Sequence, residues 1–167
     1  MNHFSMTNAL RTPLLLGARA LVPALLLALG NLAHADGDRS YPPPLPLYKT
    51  ECAACHIAYP AGLLPAASWQ AIMTGLSKHF GVDASLDAAS AQQISTWLVA
   101  HAGTGRRVSD TPPDNRISKS RWFVRQHDEV SASVFKRASV GSAANCGACH
   151  AHAADGNFNE HQVRIPK

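Results

Sequence analysis

All four cysteines of this 167-residue chain fall in two copies of one short pattern. The first copy reads CAACH over residues 52–56, and the second reads CGACH over residues 146–150. In each copy two residues separate the cysteines, and a histidine directly follows the second cysteine. Any fold of this chain must therefore bring two thiols and one imidazole to the same place, twice.

Three kinds of site use a C-x-x-C pair: a disulfide or thioredoxin-like redox pair, a zinc ribbon with four thiolates, and a covalent haem. Only the haem also requires the following histidine, because the two thiols add to the vinyl groups and the histidine ligates the iron. The sequence therefore predicts two haem c groups. The predicted attachment residues are Cys52, Cys55, Cys146 and Cys149, and the predicted proximal iron ligands are His56 and His150.

The first 35 residues have the features of a signal peptide. Two arginines are their only charges, an apolar run covers residues 20–32, and the small residues Ala33 and Ala35 form a cleavage signal. The apolar run is interrupted by a proline and a glycine and is too short to span a bilayer comfortably. We predict cleavage after about Ala35 and a periplasmic protein, residues 36–167, without stable membrane insertion.

The predicted mature chain is nearly neutral, because two of the fifteen basic residues lie in the leader and thirteen remain against eleven acidic ones. Charge is uneven, with ten basic and six acidic residues in 104–167. These charges are not interleaved with aromatic residues, so no nucleic-acid partner is expected. The basic neighbourhood would suit an acidic partner, hold haem propionates or simply be solvated. Its members are Lys119, Arg121, Arg125, Lys136 and Arg137.

Hydrophobic periodicity predicts a mainly α, helical fold with long loops packed around two covalent haems. Apolar residues recur at helical spacing from Pro65 to about His79, over 87–102 and over 118–135. Glycines at 81 and 103 are expected to end the first two helices.

The proline-rich segment 40–48 is expected to be an extended arm. The loop over 103–115 is expected to separate a haem 1 half, residues 36–103, from a haem 2 half, residues 104–167. Large apolar residues are sparse between the motifs, so we expect the chain to be poorly folded without haem.

Each iron still needs a sixth ligand or an open position. The mature chain has one methionine, Met73, so two His/Met haems are excluded. His152 is too close to His150 to reach the opposite face of the same haem, and His161 lies among polar residues. The remaining candidates are His79, His101 and His127, and periodicity does not choose among them.

One regularity favours a pairing. His79 lies 23 residues after His56, and His127 lies 23 residues before His150. Pairing His56 with His79 and His150 with His127 is the simplest arrangement. A crossed arrangement remains open at this stage.

Three further stretches resemble the small periplasmic dihaem cytochromes c with bis-histidine haems. They read SKHFG at 77–81, ISKSRWFVRQHDEV at 117–130, and NCGACH followed by ADGNFNEHQVRIP up to residue 166. The resemblance covers most of residues 45–166. It implies His56 and His150 as proximal ligands and His79 and His127 as distal ligands, with His101 as the main rival.

The resemblance also implies a function. Members of that family carry electrons to a high-spin monohaem cytochrome c and sometimes receive them from a membrane b-type cytochrome. It therefore implies a carrier and not an enzyme, with other cytochromes as partners.

Two alternatives remain. The small dihaem subunit of periplasmic nitrate reductase also uses bis-histidine haems, but its motifs lie much closer together than the 94 residues between Cys52 and Cys146. A haem enzyme or gas sensor would need one five-coordinate haem, with either His79 or His127 unbound.

Overall fold

A computed structural model describes residues 41–167. The predicted signal peptide, residues 1–35, lies outside these residues. The described part of the chain contains no β-strand beyond one isolated bridge between His79 and Val82, and short 3₁₀ turns connect its α-helices. The predicted mainly α fold is confirmed. The helices are α1 (Pro46–Cys52), α2 (Ala66–Thr74), α3 (Ala88–Ala100), α4 (Arg121–Gln126) and α5 (Ala132–Phe135).

The proline-rich arm is extended only in part, because α1 begins inside it with Pro46 at its first turn. Proline is tolerated there since its missing N–H would have no partner within the helix. The helix predicted to start at Pro65 ends at Thr74, and not at Gly81. The N–H of Gly75 donates to the carbonyls of both Ala71 and Ile72, which closes the last turn early.

The helix predicted over 87–102 matches α3. The Asp87 carboxylate caps its first turn by accepting from the backbone N–H groups of Ala89 and Ser90.

The single helix predicted over 118–135 is wrong, because residues 127–131 separate α4 from α5. The Nδ1 of His127 donates to the carbonyl of Phe123, which is the acceptor that the His127 backbone N–H would use in a continuing helix.

Two groups of buried side chains form the core. The first lies around α2 and α3 and includes Trp69, Ile94 and Leu98. The second joins Leu63, before α2, to Val108 and to two aromatic residues of α4, Trp122 and Phe123. The indole N–H of Trp122 donates to the carbonyl of Leu63 over 3.3 Å, so α4 is held against the first part of the domain.

Gly103 makes one close approach possible. Its N–H donates to the carbonyl of Leu64, and a side chain here would overlap the carbonyl oxygen of Gly62. Within residues 41–167, no helix has the length and apolarity needed to cross a membrane.

Candidate functional site

Four histidine rings form two pairs. The ring centroids of His56 and His79 lie 6.1 Å apart, with an angle of 28° between the ring planes. The centroids of His127 and His150 lie 6.2 Å apart, with an angle of 75°. The two pairs thus share one spacing and differ in the relative orientation of their rings.

This spacing fits two imidazoles on opposite sides of one metal. An imidazole nitrogen lies about 2.0 Å from a bound metal and about 1.1 Å from its own ring centroid, so such centroids lie roughly 6.2 Å apart. Both pairs therefore have the centroid spacing expected of two imidazoles that share one iron.

In two of the four histidine rings, a hydrogen bond to a backbone carbonyl determines the tautomer. His56 Nδ1 lies 2.7 Å from the oxygen of Ile57, and His127 Nδ1 lies 2.9 Å from the oxygen of Phe123. A carbonyl only accepts, so Nδ1 carries the hydrogen and Nε2 keeps its lone pair for a metal. His150 differs, because its Nδ1 is buried and finds no hydrogen-bond partner within residues 41–167.

His79 is presented by a tight loop. A 3₁₀ turn, Leu76–Lys78, precedes it. Phe80 follows with a positive φ of 49°, a conformation that is uncommon outside glycine. The guanidinium of Arg116 lies 4.2 Å from the centre of the Phe80 ring and supports this conformation. The N–H of Val82 donates to the carbonyl of His79 and closes the turn.

His127 and His150 are enclosed by aromatic rings. Phe123 stacks on His127 with a centroid distance of 4.0 Å and an angle of 18°. The ring of Phe158 meets His150 edge to face at 5.4 Å. The N–H of Arg164 donates to the carbonyl of Cys149, so the C-terminal segment closes over the second motif.

Burial favours the neutral form of two of these imidazoles. It lowers the pKa of His79, and the nearby His56 and Arg116 add to the effect. It also lowers the pKa of His150, with a further contribution from His127. A neutral imidazole is the form that ligates a metal.

A chamber of about 580 Å³ surrounds the first histidine pair. Its volume lies in the range of about 300–1,000 Å³ that is typical of small-molecule and cofactor sites. The lining is largely apolar and comes from both predicted halves of the chain. The first half contributes the motif residues with Tyr59, Trp69, Ile72, Met73 and Leu98, and the second half contributes Arg116, Ile117, Ala143, Ala144 and Cys146.

The cysteine environments suit uncharged sulfur. Burial raises the pKa of the Cys52 thiol to about 11, with Glu51 adding to the shift, and burial likewise raises that of Cys146 to about 11. Thioethers to haem are neutral, whereas a zinc ribbon needs thiolates. No disulfide joins the cysteines, and within residues 41–167 no group of three or more ligands converges as a bare metal ion requires.

The rings of the other three histidines in residues 41–167 contact no second histidine ring. His101 ends α3, is exposed, and stacks on Trp97 at 4.6 Å. His152 is exposed, with its Nδ1 4.0 Å from a carboxylate oxygen of Asp155. His161 is also exposed. Met73 lines the first chamber but belongs to the core around α2.

A family model for dihaem cytochrome c matches residues 48–158, which contain both motifs and both histidine pairs. The chain belongs to the dihaem cytochrome c family. The predicted family and the predicted cofactors, two haem c groups, are thereby confirmed, and membership implies haem-based electron transfer. The comparison with curated proteins found no match.

Solved structures of dihaem cytochromes c are similar to this chain. A crystal structure of DHC purified from Rhodobacter sphaeroides is 52% identical, covers 68% of this chain and 96% of its own, and has a TM-score of 0.60. A diheme cytochrome c structure from the same organism is 49% identical over 71% and 100% of the two chains, with a TM-score of 0.63. The diheme cytochrome c of Shewanella baltica is 39% identical over 75% and 95%, with a TM-score of 0.65.

Sequence reasoning missed two residues of the first haem chamber in this dihaem cytochrome c. Tyr59 stacks on His56 with a centroid distance of 4.8 Å and an angle of 23°. Arg116 supports Phe80 next to His79. Tyr59 lies only three residues after His56, and that short separation was an available signal. Nothing in the sequence near Arg116 indicated a role at a motif 60 residues away.

Proposed function

We propose that this dihaem cytochrome c is a periplasmic electron carrier in which each iron has two histidine ligands. His56 and His79 would hold the first iron, and His150 and His127 the second. The observation that carries the proposal is the common centroid spacing of the two pairs, 6.1 and 6.2 Å. The same spacing supports His127, and not His101, as the second ligand of the second iron.

Six-coordinate irons leave no position for a substrate, so the proposed activity is electron transfer and not catalysis. Haem c supplies the redox centre, and the chain sets its potential. Histidine in place of methionine lowers the potential. The carbonyl partners of His56 and His127 act in the same direction, because a ring N–H that donates to a carbonyl raises the basicity of the ligating nitrogen.

Low-spin character of the ferric protein tests the ligand sets. We expect optical and electron paramagnetic resonance (EPR) spectra with two low-spin haems. The single variants His79→Ala and His127→Ala should each convert one haem to high spin. His101→Ala is the matched control, since His101 has the same Nδ1–carbonyl bond and aromatic stacking as His127. A high-spin haem in the unaltered protein would refute the carrier and favour an enzyme or gas sensor.

We further propose that the partners are other cytochromes, a monohaem c-type acceptor and a membrane b-type donor, that present acidic surfaces. Arg121 and Arg125 lie four residues apart on α4 and are both exposed, so they point to one side of the helix. Charges of this kind steer association and are screened by salt.

The double variant R121Q/R125Q should slow electron exchange with an acidic cytochrome c at low ionic strength and reduce its salt dependence. Lys49→Gln, on α1, removes one exposed charge from the opposite end of the sequence and is the control. Equal effects of the two changes would refute docking through α4.

A further inference from the structure

We propose that Tyr59 joins the two haem sites and carries the electronic coupling between them. This inference rests on the proposed function, since it assigns a residue to the step between the two haems. Tyr59 lies between the two haem sites in that step and does not itself ligate iron.

The first contact of Tyr59 is with haem site 1. Its ring stacks on the proximal histidine, His56, at 4.8 Å with an angle of 23°. The backbone of Tyr59 is held as well, because the hydroxyl of the buried Tyr48 donates to the Tyr59 carbonyl over 2.9 Å. The ring is therefore fixed at both its backbone and its face.

The second contact is with haem site 2. The Tyr59 hydroxyl donates to the carbonyl of Ala144 over 2.7 Å, across 85 residues of sequence. The same carbonyl accepts from the backbone N–H of Cys146 over 3.0 Å and lies 3.7 Å from its sulfur. Cys146 is an attachment residue of the second haem. One side chain thus links a ligand of the first iron to an anchor of the second porphyrin.

The hydroxyl remains a donor at neutral pH. A phenol ordinarily loses its proton only near pH ~10, and the carbonyl of Ala144 can only accept. Tyr59 therefore keeps its proton while one electron leaves a ferrous haem at one site and reduces a ferric haem at the other. No proton moves, and Tyr59 is neither oxidised nor reduced.

The test measures the rate of electron redistribution between the haems. The holoprotein is reduced by a laser flash with less than one electron per molecule, and the concentration-independent absorbance phase is followed. Tyr59→Phe keeps the stacked ring and removes the hydrogen bond. We expect this phase to slow several-fold in Y59F and further in Y59L, which also loses the ring.

Thr96→Val is the control. It removes an exposed hydroxyl that also donates to a carbonyl, that of Gln92 within α3. T96V should leave the rate of redistribution unchanged. The free energy of unfolding and the two midpoint potentials are measured for each variant, so that a change of driving force is separated from a change of coupling.

An unchanged rate in Y59F, or an equal loss in T96V, would overturn the inference. If Y59L fails to fold, Y59F decides alone, because it differs from the native chain by one oxygen atom. Failure of this inference can be distinguished from failure of the proposed function. If only the inference fails, the protein still has two low-spin haems that exchange electrons with external reagents. If the proposed function fails, the unaltered protein already shows a high-spin haem.

Discussion

Replacing Phe123 with leucine should make the second iron easier to reach for an external ligand. Phe123 is buried and stacks on His127 at 4.0 Å with an angle of 18°. An aromatic pair of this kind contributes about 0.5–1.5 kcal/mol beyond its buried area. Since 1.4 kcal/mol is a factor of ten, the fraction of molecules in which His127 has left the iron should rise about two- to twelvefold.

Cyanide binding to the ferric protein measures this fraction, because cyanide can enter only when a histidine has left. The observed rate at the second haem should rise by the same factor. Trp97→Leu is the matched control, since it removes the same kind of stacking from His101 four residues later, without touching a histidine pair. An unchanged cyanide rate in F123L, or an equal increase in W97L, would refute the idea that the stacked ring holds His127.

Three further predictions follow from the structure. The ferric EPR signal of the second haem should show the larger g anisotropy, because rings at 75° leave two iron d orbitals closer in energy than rings at 28°; two identical signals would contradict this. Ile94→Ala should lower the free energy of unfolding by about 2–5 kcal/mol in denaturant titrations, since Ile94 is 0% exposed. His101→Ala, at an exposed site, should change it by less than about 0.5 kcal/mol. A variant with all four cysteines changed to serine should show no cooperative unfolding transition by circular dichroism. A sharp transition would show that the core folds without haem.

The sequence alone predicts the attachment residues, because covalent haem chemistry fixes their spacing. The distal histidines were harder. His101 and His127 each follow an aromatic residue by four positions, donate Nδ1 to its carbonyl and stack on its ring. Local sequence therefore gives both the same surroundings. In the structure tertiary packing separates them. His127 lies beside His150, and the Trp122 bond to Leu63 across 59 residues holds α4 in place.

Two predicted helices, those that end at Gly81 and at residue 135, were too long for a related reason. Periodicity records which residues face inward, but not where a competing hydrogen bond ends the helix. At Gly75 the backbone N–H donates to two carbonyls at the end of α2, and at His127 the ring N–H donates to the carbonyl of Phe123 where α4 ends. The break at His127 also positions a candidate ligand, so the prediction of a longer helix is wrong at a residue that we propose as a ligand.

The mixed lining of the first chamber has a consequence for maturation. Residues after the midpoint of the chain, Arg116, Ala143 and Ala144 among them, form part of the wall of the chamber that Cys52 and Cys55 also line. As the chain is synthesised from its N-terminus, the first motif is available long before that wall exists. A chain truncated after residue 103 should therefore accept its haem and yet leave the porphyrin open to solvent. The first haem can be attached as soon as its motif has been synthesised. It can be enclosed only after the last third of the chain has folded around it.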